Sequence, residues 1–133
     1  PPAELRRLLG SVDTVVIDEV SMVSADLMDA IDRRLRQSRG RPGEPFGGAQ
    51  VVMFGDPYQL APVPGRDDGE RAYYADHYRS IWFFDARVWR QAELRIVELQ
   101  AIHRQTDADF RAMLTAVRHG TVTPEIGWAL NEA

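Results

Sequence analysis

Three stretches carry side chains that could handle a phosphoryl group. "VVIDEVSMVS" sets Val15, Val16 and Ile17 directly before Asp18 and Glu19. Mg2+ is a hard, strongly hydrated ion that needs only one protein carboxylate, often through water, when phosphates supply its other oxygens. Asp18 suits that task. Side chains alternate along a strand, so Glu19 points elsewhere and can polarise a water for in-line attack on a γ-phosphate. Two acidic residues at a solvated strand end are equally common, and the pair alone leaves both readings open. "FGDPYQLAPV" (54–63) supplies Gly55, which allows a tight backbone, then Asp56 and Gln59. A neutral amide can hydrogen-bond a phosphate oxygen and a water together, so Gln59 could sense a γ-phosphate. The alternative is a turn stabilised by Asp56 with Gln59 exposed. In "AIHRQTDADF" (101–110), Arg104 suits neutralisation of charge on a transferring phosphoryl group. Taken alone, Arg104 reads better as the partner of Asp107 or Asp109 at a helix start.

These groups need elements to position them. Thr14–Asp18 and Gln50–Phe54 are apolar on consecutive positions, the pattern of parallel strands covered on both faces. Arg95–Leu99 is a third strand candidate. A short helix over 3–9 would bury Leu5, Leu8 and Leu9 and stop at Gly10. Ser24 can cap a helix to about Gln37, with Leu27, Met28, Ile31 and Leu35 on one stripe and Asp32 mostly off it. An irregular stretch is expected from the second strand to about Arg79. Asp85 can cap a short helix through Val88, Trp89 and Ala92. Thr106 can open a helix with Phe110, Met113, Leu114 and Val117 at helical spacing and Gly120 as its stop. A last helix would start at Thr123-Pro124. Buried strands alternating with amphipathic helices predict an α/β fold with a mainly parallel sheet flanked by helices. Ligands of such sheets sit at the carboxyl ends of the strands, where Asp18-Glu19 and Gly55-Asp56 would share one edge.

Composition narrows the chemistry. The chain has 133 residues, a net charge of −4 and no cysteine. The charge argues against generic duplex binding, which rests on neutralising phosphates. The lack of cysteine excludes disulfides and thiolate zinc sites and fits a cytoplasmic setting. His77, His103 and His119 lie too far apart for a recognisable zinc spacing. No run approaches the roughly 18 apolar residues of a membrane span. All 16 basic residues are arginine. A Walker A loop, G-x-x-x-x-G-K-[ST], needs a lysine, so that loop is not in this chain.

The three stretches together resemble the PIF-type helicases of superfamily 1B, ATP-driven 5′-to-3′ DNA helicases. "VVIDEVSMVSADLMDAID" looks like the family's Walker B segment and "FGGAQVVMFGDPYQLAPV" like its motif III. "VELQAIHRQTDADFRAMLTAVRHG" looks like its motif IV, with R-Q-x-D-x-x-F-x-x-x-L-x-x-x-R-x-G intact, and "YRSIWFFDARVW" is similar to its connecting segment. The match covers most of residues 14–120. A RecD-like exonuclease subunit shares G-D-x-x-Q-L, but the R-Q-x-D and S-M-V-S segments favour the PIF type. The resemblance implies a partial RecA-like P-loop NTPase fold, with residues 1–133 as the C-terminal part of the first motor domain. It implies that Asp18 binds Mg2+ and that Glu19 is the catalytic carboxylate. Gln59 would couple the γ-phosphate of ATP to DNA movement, and Arg104 would contact that phosphate. The implied partners are ATP and single-stranded DNA, with no membrane and a monomeric state. The Walker A loop would lie before Pro1 and the second motor domain after Ala133, leaving the chain alone catalytically silent. A different class of reading is a non-hydrolysing interaction module that kept the fold.

Lesser candidates remain. Tyr58, Pro62 and His77 could face DNA, although Tyr58 suits core packing better. Trp82, Phe83, Phe84 and Trp89 could stack bases, although their place beside a capped helix favours a core. Arg33, Arg34, Arg36, Arg39 and Arg41 form the one basic cluster in the sequence and read as a solvated face.

Overall fold

A computed structural model describes residues 2–63, 67–100 and 107–132, with Glu70 described by its backbone alone. Residues 2–95 form one compact unit and residues beyond 95 a second. Arg104 and Thr106 lie outside the described residues.

The first unit is built on a parallel pair of strands joined by a helix. Strand β1 (Thr14–Ile17) pairs with β2 (Gln50–Met53) in the register Thr14↔Gln50 to Ile17↔Met53. Both expected strands are present, each shorter by one residue at its carboxyl end. The expectation of cover on both faces is overturned for β1. Val15 and Ile17, with Val51 and Met53, pack against the core, while Val16 is 61% exposed. Side chains alternate along a strand, and here one face carries the contact with the buried cluster. The third candidate, Arg95–Leu99, forms no strand, and Ile96, Val97 and Leu99 are exposed. Strand composition produces a ladder only beside a paired edge, and among the described residues the ladder consists of β1 and β2.

Helix α1 (Ala3–Ser11) precedes β1. Its expected stop, Gly10, lies inside the helix, which ends at Val12 in extended conformation. A Cβ on Gly10 would come within 3.0 Å of the Ser38 carbonyl oxygen. The glycine therefore serves a close crossing with helix α2 (Ala25–Arg39), which connects the two strands and ends at left-handed Gly40. Ser24 occupies the cap position of α2, but its hydroxyl donates to Asp26 rather than accepting from the helix. The Ala25 N–H donates instead to the Ile81 carbonyl at 2.9 Å.

Helix α2 is the spine of the core. Ala25, Met28 and Leu35 are buried among Val20, Phe46, Phe83, Ala86 and Val88, while Leu27 is half exposed. Full burial of Met28 or Leu35 contributes about 1.5–3 kcal/mol each. The same face buries two carboxylates, contrary to the expectation that Asp32 lies off the stripe. Asp32 accepts from the Phe46 N–H at 2.6 Å and from the Arg36 guanidinium at 2.8 Å. The first bond fixes the 3-10 turn Pro45–Gly48, where Phe46 is left-handed. Asp29 accepts from the Tyr78 hydroxyl and from the Val88 N–H, both at 3.0 Å. Asp26 accepts from the Tyr74 hydroxyl.

Tyr74 and Tyr78 belong to, or directly follow, helix α3 (Asp68–His77), which lies in the stretch expected to be irregular. Asp85 closes a 3-10 turn (Phe83–Asp85) and accepts from Ser80. The expected cap position is corrected, because helix α4 (Arg87–Gln91) starts after Ala86 and its Val88 N–H goes to Asp29. Phe83 is buried, with Trp89 edge-on to it, so those two aromatics are core as expected. Trp82 and Phe84 stack on each other at 5.7 Å, with Phe84 partly exposed. In the second unit, helix α5 (Ala108–His119) is capped by Asp107, whose carboxylate accepts from Phe110 at 2.8 Å, and ends at Gly120. Helix α6 (Pro124–Glu132) begins at the expected proline.

Removing the Asp29 carboxylate leaves two donors without their acceptor. Each such orphan costs about 1–3 kcal/mol. Asp29→Ala is expected to lower the unfolding free energy of this chain by about 3 kcal/mol, and Asp29→Asn by less. Urea denaturation followed by circular dichroism reads both, and a loss below about 0.5 kcal/mol for the alanine variant would refute this account.

Candidate functional site

The site grows from the shared register of β1 and β2. Ile17 pairs with Met53, so the residues following each strand leave the same edge of the sheet. Two backbone bonds carry the pairing into the loops. The Phe54 N–H donates to the Ile17 carbonyl at 2.9 Å, and the Val20 N–H donates to the Phe54 carbonyl at 2.8 Å. Residues 18–20 therefore lie beside 54–56. Gly55 lets the two loops approach: a Cβ there would sit 2.9 Å from Val20 Cγ1 and from the Val20 nitrogen.

Glu19 has φ 49° and ψ 43°, a left-handed conformation. For a residue with a side chain this costs about 1–2 kcal/mol and persists where neighbours hold it in place. The holding bonds are Met22 N–H to the Glu19 carbonyl at 2.9 Å, and the Val20 bond across to Phe54, the residue after β2. Asp18 supports the same turn, its Oδ1 accepting from the Glu19 N–H at 2.9 Å. Both carboxylates are exposed to solvent. Ser21, two residues further, is fully buried, and its hydroxyl has no hydrogen-bond partner among the described residues.

Across the edge, Asp56 folds its own loop. Its Oδ1 accepts from the Tyr58 N–H at 3.0 Å, its carbonyl accepts from the Gln59 N–H at 3.0 Å, and Oδ2 accepts from Gln59 Nε2 at 3.3 Å. The turn that could have explained this motif by itself is thus present, with Gln59 exposed. It also aims the amide, because one carboxylate fixes both the backbone and the Nε2 of Gln59. Asp18, Glu19 and Gln59 therefore belong to one edge of one sheet, while Arg104 falls outside the described residues.

The donor set bears on a metal. Among the described residues no group of three or more His, Asp or Glu side chains could cage an ion. Mg2+ binds through one or two carboxylates plus phosphate oxygens and waters, with no all-protein cage. Asp18, exposed at the strand end, fits that demand.

Several secondary expectations change. Tyr58 is 70% exposed, so core packing does not explain it, and Pro62 is buried and cannot belong to an exposed face. His77 stacks on Tyr73 at 4.3 Å. The basic cluster divides. Arg33 and Arg34 are solvated as expected, whereas Arg36 pairs with Asp32 and Arg39 donates to the carbonyls of Gly47 and Val12. Sequence reasoning missed Asp26, Asp29 and Ser21. The two aspartates had a signal, since spacing of three residues from Asp26 to Asp32 places carboxylates beside Met28 and Leu35.

The family model described as PIF1-like helicase matches residues 1–126. The ATP-dependent DNA helicase PIF1 of Danio rerio is 39% identical over 112 residues, covering 84% of this chain and 16% of that protein. The ATP-dependent DNA helicase RRM3 of Saccharomyces cerevisiae is 32% identical over 112 residues, with 84% and 14% covered. A crystal structure of Bacteroides Pif1 bound to ssDNA superposes with a TM-score of 0.90 at 41% identity, covering 99% of this chain and 30% of that one. Bacteroides Pif1 in complex with ADP-AlF3 and ssDNA gives 0.87 at 40%, covering 95% and 29%. The chain thus spans about a sixth of the length of these curated relatives. Its α/β architecture matches the RecA-like domain of the solved Pif1 structures. On the family match and the relatives' identities together, the chain belongs to the PIF1-like helicase family.

Proposed function

We propose that residues 1–133 are the C-terminal part of the first RecA-like motor domain of an ATP-dependent helicase that moves 5′ to 3′ on single-stranded DNA as a monomer. The observation that carries this reading is the shared strand edge, where a left-handed turn bearing Asp18 and Glu19 is bonded to the loop that aims Gln59. Mg–ATP, when bound, would supply the phosphoryl group to be transferred and the counter-charge for its oxygens. Asp18 would take up one position around the ion, through water. Glu19 would accept a proton from the attacking water. Gln59 would hydrogen-bond a γ-phosphate oxygen, and its movement would pull on the Asp56 turn. Arg104 would neutralise charge on the same phosphate.

Since the chain contains no lysine, the phosphate loop of such a motor must come from residues outside it. Backbone amides and a lysine do most of the holding of a triphosphate. This chain alone should bind nucleotide poorly and turn none over.

Two measurements test this. In a longer protein containing these residues and a phosphate loop, Glu19→Gln should cut ATP turnover by 100-fold or more. Nucleotide affinity should stay within about threefold, since general-base catalysis contributes about 10²–10⁴. Equal losses in both would remove Glu19 from the base role. For the 133-residue chain, titration calorimetry with Mg–ATP should show no tight binding, and sub-micromolar affinity would contradict the account of the phosphate loop.

A further inference from the structure

Away from the strand edge, the first unit has a cleft of about 550 Å3 between the end of α3 and α4. Its walls carry Arg79 on one side and Arg87 and Arg90 on the other. All three are exposed, and none has an ion-pair partner among the described residues. Arg87 and Arg90 lie one helical turn apart, where like charges repel by a few tenths of a kcal/mol. Two carboxylates share the cleft. Asp85 already accepts from the Ser80 hydroxyl, and Asp76 leads into His77 at the rim. Three guanidiniums against two carboxylates make the cleft locally cationic in a chain whose net charge is −4.

A buried group anchors the segments that carry the arginines. Asp29, 8% exposed, accepts from both the Tyr78 hydroxyl and the Val88 N–H. Burial and the neighbouring Asp29 carboxylate push the Tyr78 phenol up, so it stays a neutral donor. The fixed Tyr78 ring lies under the Arg87 guanidinium, 5.6 Å from its centroid. The Val88 bond anchors the first turn of α4, the helix that carries Arg87 and Arg90. A guanidinium over an aromatic face keeps N–H donors for a bidentate oxyanion, carboxylate or phosphate alike.

We propose that this cleft binds the phosphodiester backbone of a nucleic-acid strand through Arg79, Arg87 and Arg90, as a contact separate from the nucleotide edge. The choice of a strand over a free anion rests on the helicase reading, because cations on two walls of an open cleft suit successive phosphates. Arg87 and Arg90 act as the gripping pair, Asp29 and Tyr78 as positioning residues.

The test uses the 133-residue chain, circular dichroism to verify folding, and fluorescence anisotropy with a labelled oligo-dT strand at low salt. The double variant Arg87→Ala/Arg90→Ala should weaken binding at least tenfold. It should also lower the slope of log affinity against log salt by about 1.4, near 0.7 per lost phosphate contact on a single strand. Arg87→Lys/Arg90→Lys, which keeps the charge and loses the fork, should weaken it about threefold. Arg33→Ala/Arg34→Ala, on a solvated face, should stay within twofold. Equal losses in the 33/34 and 87/90 alanine variants would overturn the proposal. So would displacement of the strand by a poly-glutamate peptide at comparable concentration, which would make the cleft a protein-docking site. Displacement by millimolar inorganic phosphate with no dependence on strand length would mark a free-anion site and also overturn it. Failure here leaves the Glu19→Gln result untouched, whereas a failed Glu19→Gln test with the cleft variants behaving as expected would remove the motor reading alone.

Discussion

Three aspartates on one face of α2 hold the first unit together. Asp26, Asp29 and Asp32 take hydrogen bonds from Tyr74, from Tyr78 and Val88, and from Phe46. The donors come from α3 and the residue after it, from α4, and from the Pro45–Gly48 turn, and none of those parts is a strand. A sheet of two strands cannot cover a core by itself, so the rest of the enclosure comes from short helices and 3-10 turns. Such pieces have little cooperative stability of their own. Carboxylates that are buried, as for Asp29 and Asp32, or half-buried, as for Asp26, suit the task because each accepts several bonds and becomes costly if any donor leaves. Burial pulls the Asp26 carboxyl upward, and hydrogen bonds from Ser24 and Tyr74 outweigh that pull and hold it below the usual range. A depressed carboxylate contributes stability above its ordinary titration range and loses it as pH falls through the lower, folded-state value. The tie from α2 to α3 should thus be firm at neutral pH and weaken only in acid.

The same helix links this scaffold to the candidate site. It begins a few residues after Glu19, and its tie through Tyr74 reaches the helix that follows the Gln59 loop. The acidic turn and the amide-bearing loop are therefore joined twice, directly through the Val20–Phe54 bond and indirectly through α2 and α3.

The parts of this structure legible in the sequence were those with a period or a local signature. The apolar runs before Asp18 and Gly55, the 3.6-residue stripe of α2, and the Pro124 and Gly120 boundaries all depend on near neighbours in the chain. The failures depend on distant ones. Arg95–Leu99 has strand composition, but a strand requires an edge to pair with. Asp85 and Ser24 are good capping residues by type, yet Ser80 and Asp26 engage them. Helix α3 was hidden because its Tyr74, and Tyr78 just after it, serve Asp26 and Asp29 rather than an apolar stripe of its own. At the candidate site, the residue types were readable, whereas the left-handed backbone of Glu19 was not, because a bond from another strand imposes it.

That backbone geometry limits which residues position 19 can tolerate over evolutionary time. Glycine would relax the turn by roughly 1 kcal/mol and erase the carboxylate. Valine or isoleucine would fit the preceding strand and clash in the turn. Asparagine tolerates the conformation but, under the base role proposed for Glu19, could not take up the proton. Under that proposal the position sets foldability against chemistry: lineages freed of the role should drift there toward glycine or asparagine, and those that keep it must carry the strain.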